Sequence, residues 1–144
     1  MTYPDTETTI KQLGYAGLVP FVVLALLLWL VKPALHPFVA IALTAYAAAI
    51  ASFLGGIHWG IGFKLRSKEP TFHFVWGVVP ALTGWVAMVM PAYAGLPLLG
   101  LLLVACYVVD LRTWRDAGIA QWLPLRLQLT IVATLSCVIG AAGT

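Results

Sequence analysis

Charge is what this sequence has least of. Only 9% of its 144 residues are Asp, Glu, Lys or Arg, and just five are acids, against roughly a quarter charged in a soluble domain. A water-exposed globular fold is therefore excluded. Cysteine is scarce too: Cys106 and Cys137 each sit inside an apolar run, without the paired spacing that a disulfide framework or a Cys-x-x-Cys metal site needs. They read as small apolar residues of a core or lipid-facing surface. Also absent are a glycine-rich phosphate loop, a nucleophile elbow and paired carboxylates at catalytic spacing. The formal net charge of +3 is too small and too scattered to point to nucleic acid; it fits loop charges that fix orientation in a membrane.

What is present in quantity is apolar. Hydrophobic residues make up 62% of the chain and the mean hydropathy is +0.98, which predicts an all-α, polytopic integral membrane protein whose first partner is membrane lipid. The first ten residues are polar and carry Asp5 and Glu7. With a first apolar run too long for a cleavable leader, that run is expected to stay as an anchor. Thr9 and Gln12 form a capping-box pattern ahead of it.

The chain divides into five expected transmembrane helices, about 13–31, 38–63, 72–90, 96–111 and 124–142, within a single domain spanning 1–144. Each break has a reason. Pro33 and Pro37 interrupt the chain after the first span, because proline lacks an amide hydrogen and disfavours helix in the residue before it. The run Lys64 to Pro70 is the densest group of charges. Pro91 to Pro97 reads as an uncharged turn, which leaves the fourth span short. Residues 112–121 are polar, with Trp114 and Trp122 near the ends, as suits an interfacial segment, and Pro124 stands where a first helical turn accepts proline.

Five spans put alternate loops on opposite sides. Lys11, Lys64, Arg66, Lys68, Arg112, Arg115 and Arg126 then share one face, against Lys32 alone on the other. By the positive-inside rule the N-terminus is cytoplasmic and the C-terminus periplasmic, with matrix and intermembrane space as the mitochondrial equivalents. Trp29, Trp59 and Trp76 also fall near expected interfaces, whereas Trp85 lies deeper and is expected to pack between helices.

Two features of the spans stand out. Thr44, Ala48, Ser52, Gly56 and Gly60 recur every fourth residue, a spacing that places neighbours on one helix face and predicts a small-residue groove for close approach of another helix. Pro20 and Pro80 each remove a helical hydrogen bond and predict kinks. They belong to Gly17-Leu18-Val19-Pro20 and Gly77-Val78-Val79-Pro80, a faint echo that raises the idea of a parallel repeat.

The segments Leu13 to Phe21, Ser52-Phe53-Leu54-Gly55-Gly56-Ile57-His58-Trp59-Gly60 and Val78-Val79-Pro80-Ala81-Leu82 resemble the domain of unknown function 3429 family. The resemblance runs from Leu13 into the fifth helix, and the Gly-Gly-Ile-His-Trp-Gly stretch is its most specific part. It implies a small multi-pass protein of proteobacterial inner membranes and of mitochondria. It implies no activity, catalytic residue or cofactor.

Candidate chemistry rests on few residues. His58 precedes Lys64 by six positions, hence lies roughly 9 Å below the basic face, a depth at which an ionisable group needs a partner or a function. It points away from Gly56, on a face with Leu54, Gly55 and Gly62. Asp110 ends the fourth span, at the unfavourable pole of its helix dipole, and calls for a cation from among Arg112, Arg126, Lys64 and His58. His73 opens the third span, and His36 lies at the opposite side. The sequence supports three readings. The leading one is a non-enzymatic accessory or assembly subunit that packs against other integral membrane proteins or itself, with no metal or cofactor. The others are a small transporter or proton conduit using His58 and Asp110, and a membrane protein holding haem or quinone.

Overall fold

The computed structural model describes residues 4–65 and 70–144, so the loop charges Arg66, Lys68 and Glu69 lie outside the described residues. The fold is all helical: α1 is Pro4–Ala16, α2 Val19–Leu30, α3 His36–Lys64, α4 Thr71–Val89, α5 Ala92–Thr113 and α6 Leu123–Ala142, with short 3-10 turns at Pro33–Leu35 and Ala120–Trp122. Among the described residues five segments are long and apolar enough to cross a membrane, the first being α1 and α2 taken together as Asp5–Leu30. Leu30, Phe38, Ile41, Phe53, Trp85 and Leu101 are exposed. A belt of large apolar side chains on the outside of a helical bundle is what lipid accommodates and water does not.

The helices begin and end differently from expectation in ways that local chemistry explains. The N-terminal segment is helical from Pro4, with Asp5 and Glu7 in its first turn, where the positive pole of the dipole favours them. Thr9 is consequently interior: its hydroxyl donates to the Asp5 carbonyl at 2.8 Å rather than capping a helix start. Near Pro20 the chain breaks outright. α1 ends at Ala16 and α2 resumes at Val19, and the Gly17 carbonyl accepts from the Tyr46 hydroxyl at 2.6 Å, so an acceptor released by the interruption is satisfied by a neighbouring helix. Pro80, by contrast, lies inside an unbroken α4. The two Gly-to-Pro segments thus have different geometry, and the echo between them is one of sequence only.

α5 starts directly after Pro91 and runs 22 residues, a full crossing. Pro97 is inside it. That proline sits within the first two turns, where little helix precedes it to be bent, and the amides of Ala94 and Gly95 are anchored on the Pro91 carbonyl at 2.9 and 2.8 Å. Beyond Thr113 the chain reverses at Gly118, whose φ of 78° is easily reached only without a Cβ. The reversal brings the Ile119 amide onto the Trp114 carbonyl at 3.0 Å.

α3 is the centre of the bundle. At 29 residues it is about 43 Å long, and it packs on α2, α4, α5 and α6. Its contact with α4 is the most extensive in the protein, and here the small-residue expectation needs correction. The close approach is made by Ala48 against Gly84, Gly55 against Gly77 and Gly62 against Phe74; a Cβ added to Gly55 would stand 2.3 Å from the Gly77 carbonyl oxygen. Those α3 residues repeat every seven, a step that drifts only about 20° per repeat. The expected stripe repeats every four, which gains about 40° per step and winds roughly 160° around the helix between Thr44 and Gly60. Thr44 and Ala48 are accordingly buried, while Ser52, Gly56 and Gly60 are exposed and a Cβ at either glycine would meet nothing within 4 Å.

Cys106 and Cys137 are buried in the core, as small apolar side chains should be. Trp85 is not packed between helices: it is 64% exposed, because it lies one position past Gly84, which faces α3. The indole nitrogens of Trp29 and Trp59 donate to the carbonyls of Ile139 and Phe74.

Candidate functional site

Four helices each bring a polar side chain to one end of the bundle. His58 comes from the last third of α3 and His73 from the first turn of α4. Asp110 comes from the last turn of α5 and Arg126 from the first turn of α6. All four are at least nine-tenths buried, His58 and Asp110 almost completely. They make one connected chain. His58 Nδ1 lies 2.9 Å from His73 Nδ1, and His58 Nε2 lies 2.7 Å from Asp110 Oδ1. Arg126 Nε donates to Asp110 Oδ2 at 3.0 Å, with Nη2 at 2.9 Å from the same oxygen, and Nη1 donates to Thr130 Oγ1 at 2.7 Å. The guanidinium carbon is 5.9 Å from the ring centroids of both Tyr107 and Trp114, within range of cation–π attraction.

Helix electrostatics explains why the ion pair exists at all. Asp110 stands at the C-terminal pole of α5 and Arg126 at the N-terminal pole of α6, and each is the wrong sign for its own helix. Each is placed for the other. A charge at this depth without a partner is costly, so pairing across the α5–α6 turn makes both tolerable. Of the cations that sequence offered to Asp110, Arg126 and His58 are the partners; Arg112 is exposed, as is Lys64. Arg126 is therefore not a loop charge, and the face that carries Lys11, Lys64, Arg112 and Arg115 counts it no longer.

With His58 neutral, the hydrogen bonds assign the protons. Both Asp110 oxygens accept, as those of a carboxylate do, so His58 must donate from Nε2. A neutral imidazole carries one N–H, so His58 Nδ1 is then a bare acceptor, and the 2.9 Å contact requires His73 to donate from its own Nδ1. His73 Nε2 is left as the one lone pair of this imidazole pair without a hydrogen-bond partner among the described residues. The Nδ1–Nδ1 contact connects that lone pair to the His58 ring, whose Nε2 faces the Asp110 carboxylate.

The structure thus joins His58, Asp110 and His73, and leaves His36 at the far end of the bundle as the first residue of α3. Thr130 and Tyr107 were not singled out by sequence, and Trp114 is read there only as an interfacial residue. Thr130 follows Arg126 by four residues, a spacing that places both on one face, and that was its only signal. Among the described residues no group of three or more His, Cys, Asp or Glu is arranged to hold a metal ion.

Comparison with known proteins gives a family but no reaction. No solved structure matches the chain. Transmembrane protein 69 of Xenopus tropicalis is 37% identical over 144 residues, covering 93% of this chain and 54% of that protein, so the chain spans about half the length of that relative. Residues 6–142 match the family described as "Protein of unknown function (DUF3429)", and with nearly its whole length inside that match, this five-span membrane protein belongs to the DUF3429 family.

Proposed function

We propose that the protein is a non-enzymatic, proton-responsive component of a bacterial inner membrane, or of the mitochondrial inner membrane in a eukaryote, whose His73–His58–Asp110 network takes up and releases one proton. The observation that carries this reading is the unbroken series of buried contacts from His73 to Arg126, none longer than 3.0 Å, with one imidazole lone pair left open. The positive-inside rule, applied to Lys11, Lys64, Arg112 and Arg115, puts the network on the cytoplasmic or matrix side with the N-terminus, and the C-terminus opposite.

A store for a proton fits better than a conduit through the bilayer. Arg126 keeps its proton throughout, so the relay ends at Asp110. Deeper in the bundle the hydroxyls of Thr44, Ser52 and Ser136 are spent on carbonyls of their own helices. Between the network and the Lys32 end, the described spans hold no further carboxylate, imidazole or amine.

Reconstituted vesicles given a pH step are expected to show no sustained proton flux above protein-free vesicles. Infrared difference spectra across the same step should show a new imidazolium band that disappears in His58→Asn. Sustained flux abolished by His58→Ala, or an acid-induced carboxylic C=O band from Asp110 in place of imidazolium, would overturn the proposal.

A second reading is favoured by one observation. Ser52, Gly56 and Gly60 are exposed on α3, with nothing within 4 Å of either glycine's Cβ position, and small residues facing lipid permit close approach of another transmembrane helix. Assembly with another integral membrane protein, or with a second copy, would use this face.

A further inference from the structure

Beside the network, and sharing Arg126 with it, lies an open cleft of about 580 Å³. Its walls follow three helical tracks in the same direction: Ile10 to Phe21 of α1 and α2, Ile57 back to Ile50 of α3, and Arg126 to Ala133 of α6. It therefore extends along the helix axes for about two to three turns. Leu13 and Phe53 line it and are each 68% exposed, so the cleft opens sideways, at the level where the bundle meets lipid. Its volume falls within the range of small-ligand pockets.

The polar side chains that line the cleft are Arg126, Thr130 and the indoles of Trp114 and Trp122, and what they offer is donors. Trp114 is buried, and its Nε1–H has no hydrogen-bond partner among the described residues; Arg126 Nη2, which faces Asp110 Oδ2 at 2.9 Å, keeps a second N–H to donate. Thr130 Oγ1 already accepts from Arg126, which leaves its O–H to donate. Buried donors without acceptors are unfavourable, and an acceptor in the cleft would satisfy them. The sign of the site is also constrained: the Arg126 charge is neutralised by Asp110 at 2.9 Å, so among the described residues that line the cleft none is a spare cation for an anionic headgroup.

We propose that this cleft binds an uncharged lipid, with a carbonyl or ester oxygen directed at Trp114, Arg126 and Thr130 and a long apolar tail along α1, α3 and α6. The chemistry is shared by isoprenoid quinones and by neutral acylglycerols. Binding needs no proton transfer, so this inference stands or falls apart from the proton store.

The test uses the full chain in phosphatidylcholine nanodiscs, with decylubiquinone and dioleoylglycerol as probes and phosphatidylglycerol as anionic comparator, followed by native mass spectrometry. One molecule of one neutral probe is expected per protein, and which one identifies the source. Trp114→Phe keeps the ring and removes the donor, and should weaken binding about tenfold, the equivalent of one hydrogen bond. Gly14→Phe should abolish it by filling the cleft from α1; if that variant does not fold, Leu129→Trp takes its place. Retention of phosphatidylglycerol as well as or better than both neutral probes would overturn the proposal. Binding unchanged by Trp114→Phe and by the filling variant would do the same.

Discussion

Asp110→Ala is expected to destabilise the detergent-solubilised protein by about 3–5 kcal/mol, the range for breaking a buried ion pair from one side. Removing the carboxylate strands the Arg126 guanidinium at 6% exposure and leaves the His58 Nε2–H without its acceptor. The guanidinium cannot escape by losing its proton. Asp110→Asn should fall between, because an amide oxygen still accepts while the charge is lost. The informative variant is the double one. Asp110→Leu with Arg126→Leu removes both charges together, and since an apolar pair of similar volume is commonly neutral or better, it should recover most of the loss. A thermal or denaturant series on the two single variants and the double checks this through their coupling energy. Additive losses would mean that the pair does not act as a unit.

Adjacent glycines of α3 should respond with opposite signs, the second large effect. At Gly55 an added methyl meets the backbone oxygen of Gly77, 2.3 Å away, and backbone on a packed helix cannot turn aside. Gly55→Ala should force α3 and α4 apart at their crossing, a loss of about 1–3 kcal/mol from overpacking, and Gly55→Leu should prevent the native crossing. At Gly56 nothing lies within 4 Å. Alanine there should be neutral or stabilising by up to about 1 kcal/mol, the difference in helix propensity. Gly56→Leu should leave the fold intact, yet weaken self-association or recovery with a partner if the outward face is a docking face. Thermal unfolding of the four variants, with size measured in mild detergent, decides both questions.

The membrane class and the five spans were legible because long apolar runs have few alternatives, and prolines and charges punctuated them. Errors arose where one local signal stood for two situations. Pro97 looks like a turn residue in sequence, but near a helix start it is tolerated; Thr9 looks like the cap of the first helix, but the acids Asp5 and Glu7 favour a helix that starts earlier. The stripe from Thr44 to Gly60 does not stay on one face, because a period of four resembles a helix face over two turns and departs from it over four. The seven-residue series of Ala48, Gly55 and Gly62 is the spacing that holds one face over this length. The pairing of Asp110 with His58 and Arg126 was partly foreseeable from charges at the wrong helix poles. What no linear pattern contained was the meeting of His58 with His73, which depends on how α3 and α4 cross.

The most direct test of the account is the tautomer of each histidine, read by solid-state NMR on protein labelled with 15N-histidine in lipid at neutral to mildly alkaline pH. His58 should carry its proton on Nε2 and His73 on Nδ1, with coupling across the Nδ1–Nδ1 hydrogen bond, and on acidification the His58 ring should become the imidazolium. His58 protonated on Nδ1 alone, or two rings that titrate with no mutual coupling, would contradict the relay.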